Sequence, residues 1–137
     1  MTEKDNIILT SWLTKASHDL RNAEIILNQN ESNLPFDTVC FHCQQTGEKY
    51  LKAYLIYLDL DFPFTHNLAD LITKAATLDK DIESLIYEAE QLTPYAVEIR
   101  YPDDYFNPTS EEAKEAFFIA NKIKDYILIR IQPNSKA

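Results

Sequence analysis

The stretch that decides the fold is Phe36–Leu58, FDTVCFHCQQTGEKYLKAYLIYL. At 3.6 residues per turn, Phe36, Val39, Cys40, Cys43, Gly47, Tyr50, Leu51, Tyr54, Leu55 and Leu58 fall on one broad apolar stripe. Pro35 precedes it, where a missing N–H is tolerated because that donor lacks a helical partner anyway. The spacing predicts a helix of about six turns, roughly 34 Å long. Its other edge carries Gln44, Gln45, Glu48, Lys49 and Lys52. Gln44, Glu48 and Lys52 recur at i, i+4 and i+8, so their side chains form one polar row. One face therefore joins a core, and the other meets solvent or a partner. Gly47 is the one glycine of the 137 residues. It stands mid-helix, where it costs about 1 kcal/mol relative to alanine, and the missing Cβ predicts close approach of another backbone.

Outward from this helix, both flanks read as helical. Ile8 to about Gln29 carries Trp12, Leu13, Ala16, Leu20, Ala23, Ile26 and Leu27 at helical spacing, with Thr10 or Ser11 as the expected cap. The polar turn 28–35 is short enough to make these two helices antiparallel neighbours. After a loop at 59–65 that holds Pro63, a third helix is expected over His66–Leu78, started by Thr65 or Asn67, with Leu68, Leu71, Ile72 and Ala75 inward. A fourth is expected over Leu78–Leu92 with Ile82, Leu85, Ile86 and Ala89 inward, ended or kinked by Pro94. Tyr95–Asn107 is the least regular part. Thr109 and Glu112 have capping-box spacing ahead of a last helix that runs to about Ile131. The expectation is one all-α domain over 1–137, core about 8–131. It is an up-and-down bundle of about five helices: two long antiparallel central helices and a long C-terminal one.

Composition narrows the function. The net charge of −9 argues against general nucleic-acid binding, which rests on phosphate neutralisation by Lys and Arg. The acidic excess gathers between Asp79 and Asp104, a face suited to solvent or to a basic partner. No apolar run approaches the ~18 residues of a membrane span. The first ten residues lack the basic start and apolar core of a signal peptide, so a cytoplasmic protein with reduced cysteines is expected.

Cys40 and Cys43 form a C-x-x-C around His42, but both lie on the apolar stripe, and the chain offers too few further ligands for zinc. They read as buried core thiols, with neither metal nor cofactor. Glu48 and Lys52 have the favourable i, i+4 order of a surface ion pair. His66 reads as a polar helix cap, while His18 and His42 have no acid or nucleophile at a telling spacing. Arg100, among Tyr95, Tyr101, Tyr105 and Phe106, can stack on an aromatic face while its fork meets a carboxylate or phosphate. If the chain after Pro94 returns to the middle of the 36–58 helix, Arg100 joins Gln44, Glu48 and Lys52 around one anion-binding cleft.

WLTKASHDLRNAEIIL, FHCQQTGEKYLKAYL, THNLADL and EIRYPDDY, in that order before a last amphipathic helix, resemble the HEPN domain family from about Trp12 to Ile131. The resemblance implies a helical bundle, a homodimer, and association with a small nucleotidyltransferase, as a substrate-binding subunit or in a toxin–antitoxin-like pair. Nuclease members carry an arginine followed after four to six residues by a histidine. Here Arg100 is followed at those positions by Tyr105, Phe106 and Asn107. A phenol with a pKa near 10 transfers protons poorly at neutral pH. The reading is therefore a non-catalytic module that binds a nucleotide-like anion or a nucleotidyltransferase through Gln44, Glu48, Lys52, Arg100, Tyr101, Tyr105 and His66. The alternatives are a metal-independent ribonuclease with an unusual site and a purely structural dimerisation domain.

Overall fold

The computed structural model describes residues 2–96 and 107–131. Among these are five α-helices and no strand: α1 (Glu3–Leu27), α2 (Phe36–Tyr57), α3 (Leu68–Ala75), α4 (Ile86–Glu90) and α5 (Ser110–Arg130). Thr10 and Ser11 do not cap α1; they lie inside it. The helix starts earlier because Thr2 and Asp5 make a capping box, Asp5 N–H donating to Thr2 Oγ1 at 3.0 Å. At α5 the expected box is present, with Glu112 N–H to Thr109 Oγ1 at 3.1 Å and Thr109 N–H to Glu112 Oε1 at 2.8 Å.

The third and fourth helices are shorter than their apolar spacing suggests. Asn67 caps α3 through Ala69 N–H, and α3 ends at Ala75. Asp79 is extended (φ −133°, ψ 86°), so the next segment restarts as a 3₁₀ helix over Lys80–Leu85 before α4. Residues three apart eclipse on a 3₁₀ helix, which lets Ile82 and Leu85 both enter the core. Thr93–Ala96 forms another 3₁₀ turn, which packs on α2; the expected return of Arg100 to the middle of that helix lies outside the described residues. Tyr95 lies against the core there.

The central element is α2, flanked chiefly by α1 and α5. Asp19 meets His42 and Trp12 meets Lys52, so α1 runs antiparallel to it. Ile123 lies beside Gly47 and Tyr126 beside Tyr54, so α5 runs parallel to it. Within α2 only Asp37 is exposed. Val39, Cys40, Cys43, Tyr50, Leu51, Tyr54 and Leu55 are buried, as the stripe predicts.

At Gly47 the close approach is made by side chains, not by a backbone. A Cβ there would stand 3.0 Å from Leu68 Cδ1, 3.2 Å from Ile123 Cδ1 and 3.6 Å from Leu92 Cδ1. Side chains from α3, α5 and the turn after α4 thus meet over one missing methyl. With the only glycine used here, the left-handed residue that ends α2 is Asp59, at φ 61°. Asp59 N–H bonds Ile56 O at 3.0 Å and Leu60 N–H bonds Leu55 O at 2.8 Å, which makes a Schellman stop with a residue other than glycine at its strained position.

Candidate polar site on the central helix

The row of Gln44, Glu48 and Lys52 does not face solvent. Gln44 is wholly buried, Glu48 is 5% exposed, and the Lys52 side chain is 14% exposed. The expected surface ion pair is therefore an internal one, because α1 and the 58–67 loop close over that flank of α2. Glu48 accepts from Lys52 Nζ at 2.9 Å, from Gln44 Nε2 at 3.0 Å, and meets His66 Nδ1 at 3.1 Å. Gln44 Nε2 also donates to His66 O at 3.1 Å, and its oxygen accepts from Gln45 at 2.8 Å. Trp12 and Phe62 cover Lys52, each ring centroid 5.4 Å from Nζ.

Burial disfavours the charged Glu48. Hydrogen bonds from Lys52, Gln44 and His66 outweigh that and hold its carboxyl below the usual range. An ionised carboxylate only accepts, so the Nδ1 that faces it carries the proton. His66 is not the helix cap, a role taken by Asn67; it is an imidazole braced on a buried acid. Its side chain is 72% exposed, so most of the ring lies at the surface.

A second cluster of the same make-up lies between α1 and α2, and the sequence reading missed it. Asp19 Oδ1 meets His42 Nδ1 at 2.9 Å and Oδ2 accepts from Lys49 Nζ at 2.6 Å. Burial raises the Asp19 pKa, but His42 and Lys49 pull it below the ordinary value. The signal was local: Asp19 stands on the buried stripe of Ala16, Leu20 and Ala23, where an acid needs a partner.

A third, half-buried tie joins the far ends of α2 and α5. Asp79 Oδ2 accepts from Tyr54 OH at 2.7 Å and Tyr126 OH at 2.8 Å, with Arg130 Nε at 3.4 Å. Burial opposes its charge, yet the two phenols and the Arg130 guanidinium keep its pKa low. The guanidinium also lies on the Tyr126 ring, 3.4 Å from the centroid. The acidic run that begins at Asp79 is thereby partly neutralised, as Glu88 pairs with Lys122 and Glu83 with Lys80.

Of the residues singled out for a ligand, Gln44, Glu48, Lys52 and His66 do come together. Arg100, Tyr101 and Tyr105 lie outside the described residues, as does Phe106. Cys40 and Cys43 are unbridged and fully buried, as expected. Burial pushes the Cys40 thiol up to about 12 and the Cys43 thiol higher still. Among the described residues, no group of three or more His, Cys, Asp or Glu is placed to hold a metal, and no helix is long and apolar enough to cross a membrane.

The family model for the HEPN domain matches residues 9–130. The structure of TT1696 from Thermus thermophilus superposes with a TM-score of 0.72 at 29% identity, covering 90% of this chain and 98% of that one. ST0689, described as an archaeal HEPN homologue, superposes at 0.70 and 22% identity with the same coverage, which speaks to the fold alone. No curated protein matches.

Proposed function

This chain belongs to the HEPN domain family, and on that footing we propose that it is a non-catalytic helical module that holds a nucleotide-like anion on the polar flank of α2. The observation that supports this is the His66 imidazole, exposed at its outer edge and braced on buried Glu48 beside Lys52. In its charged form the ring donates from both nitrogens, one to Glu48 and one outward to a phosphate oxygen. Lys52 neutralises Glu48 and does not itself reach the ligand. Arg100, Tyr101 and Tyr105 stay in this proposal as candidate ligand contacts on the strength of the sequence alone. The partners in this reading are a second copy of the chain and a small nucleotidyltransferase, in a substrate-binding or toxin–antitoxin-like pair.

A panel of nucleotides in a thermal-shift assay tests it, since a ligand of the folded state raises the melting temperature. At least one nucleotide is expected to raise it for the wild type, and His66→Gln to remove the shift. If no nucleotide moves the wild type, or His66→Gln responds equally, the anion site is wrong.

The same pair favours a second reading. In its neutral form a carboxylate-braced imidazole is the proton acceptor that ribonuclease chemistry requires, and it stands outside the arginine-to-histidine spacing that the sequence lacks. RNA cleavage lost on His66→Ala would support the enzyme over the binding module.

A further inference from the structure

Three shallow grooves run into one another at the end of the bundle where α1 starts and α2 stops. One of about 350 Å³ lies between Thr2, Asp5, Tyr57 and Asp59. It shares Asp5, Ile56 and Asp59 with a second, of about 410 Å³, walled by Leu60 and Phe62. That one shares Asp61 and Phe62 with a third, also about 410 Å³, which ends at Asp70, Thr73 and Lys74. The three thus adjoin one another around the turn that follows α2, and together they form a trough.

The loop beside these grooves presents apolar surface, and the grooves carry an uneven charge. Phe64, in the loop beside it, is fully exposed, and Phe62 is 37% exposed. Phe62 is anchored edge-on against Trp12, at 6.0 Å between centroids, and so is a fixed apolar wall. The trough's charge is also one-sided: Asp5, Asp59, Asp61 and Asp70 line it against Lys74 alone. Asp5 accepts from Thr2 N–H in the α1 capping box, and Asp70 accepts from Thr65. Asp59 and Asp61, by contrast, are exposed and make no side-chain hydrogen bond or ion pair among the described residues. The carboxylates at Glu83 and Glu88, where the sequence pointed to a basic partner, are paired internally.

We propose that this trough docks a basic, partly apolar segment of another protein. Lysine or arginine side chains would lie along Asp59 and Asp61, and an apolar residue would sit between Phe62 and Phe64. Aligned charge and exposed aromatic surface favour this occupant over others. Nucleic acid and anionic lipid carry phosphates that the same carboxylates repel. Docking here is independent of nucleotide binding beside His66, so either stands if the other fails.

The test uses a short synthetic peptide of arginines and leucines at helical spacing. Controls are a peptide with glutamate for each arginine, one with serine for each leucine, and phosphatidylserine vesicles. Titration calorimetry reads binding, and the fluorescence of the single tryptophan, Trp12, reports from beside Phe62. Binding of the arginine–leucine peptide is expected to weaken at least tenfold for Asp59→Asn with Asp61→Asn, and at least tenfold for Phe64→Ala. Phe64 is fully exposed, so that variant keeps its melting temperature and separates docking from folding. Added salt should weaken binding. Absence of peptide binding, equal binding by the glutamate peptide or by vesicles, or indifference to Phe64→Ala would each overturn the proposal.

Discussion

A side chain placed at position 47 enters space already held by the tips of Leu68, Ile123 and Leu92. Replacing the helical glycine by alanine gains about 1 kcal/mol of helix propensity. Against this, the new Cβ would lie 3.0 and 3.2 Å from two methyl carbons, well inside the ~3.5–4.0 Å optimum for carbon pairs. Leu68, Ile123 and Leu92 are all buried, so their tips move only by pushing further into the core. Overpacking of that kind costs about 1–3 kcal/mol. Gly47→Ala should therefore fall between neutral and about 2 kcal/mol destabilised. Gly47→Leu adds three more heavy atoms to the same space, and a loss of about 3 kcal/mol is expected. For a domain of this size that lowers Tm by roughly 10 °C. Urea unfolding measures it, with an unchanged slope to show that the unfolded state is unaltered. Leu68→Ala in the same molecule should recover part of the loss, because the two sites share one volume. A leucine variant with its midpoint at or above wild type, or a double mutant in which the losses simply add, would refute the packing argument.

Three further outcomes follow from the buried charges and the helix stop. Lys52→Ala leaves buried Glu48 without its cation, and urea unfolding should show a loss of roughly 1–3 kcal/mol, well beyond the ±0.5 kcal/mol usual for a surface change. Asp19, Glu48 and Asp79 all have lowered pKa values in the folded chain. The unfolded chain therefore takes up protons first as pH falls, so the stability these groups give is full above about pH 5 and is lost as pH drops through their folded values. Urea midpoints between pH 7 and pH 3 check this, and Glu48→Gln should flatten the slope. Asp59→Gly relieves the left-handed residue at the end of α2 and should raise Tm, by an amount equivalent to about 0.5–1 kcal/mol.

The fold was legible where burial repeats along a helix. The stripe from Val39 to Leu55 and the Thr109–Glu112 box are local patterns, and local patterns survive tertiary packing. The start of α1 was misplaced because two threonine-or-serine candidates inside an apolar run outshone Thr2, whose partner is the unobtrusive Asp5. The 78–92 segment reads as one helix because Ile82, Leu85, Ile86 and Ala89 suit either helical form at three- and four-residue spacing. The site was half legible. Glu48 and Lys52 are four apart, so their contact could be read, but their burial depends on α1 and the 58–67 loop. His66 reaches Glu48 from 18 residues away and Asp19 reaches His42 from 23 away, distances at which no spacing rule applies.

The enclosure of α2 also sets an order of events during synthesis. Its polar flank is covered by α1, which leaves the ribosome first, and its apolar flank by α5, which leaves last. Between the end of α2 at Tyr57 and the end of α5 at Arg130, elongation at about 5–20 residues per second takes roughly 4–15 s. Until α5 is made, Tyr54 lacks Tyr126 and Gly47 lacks Ile123 as the neighbours that cover them. The nascent chain is then a helical hairpin with an open apolar seam. Exposed apolar surface of that kind is prone to association, and the time taken to translate 58–130 sets how long it stays open.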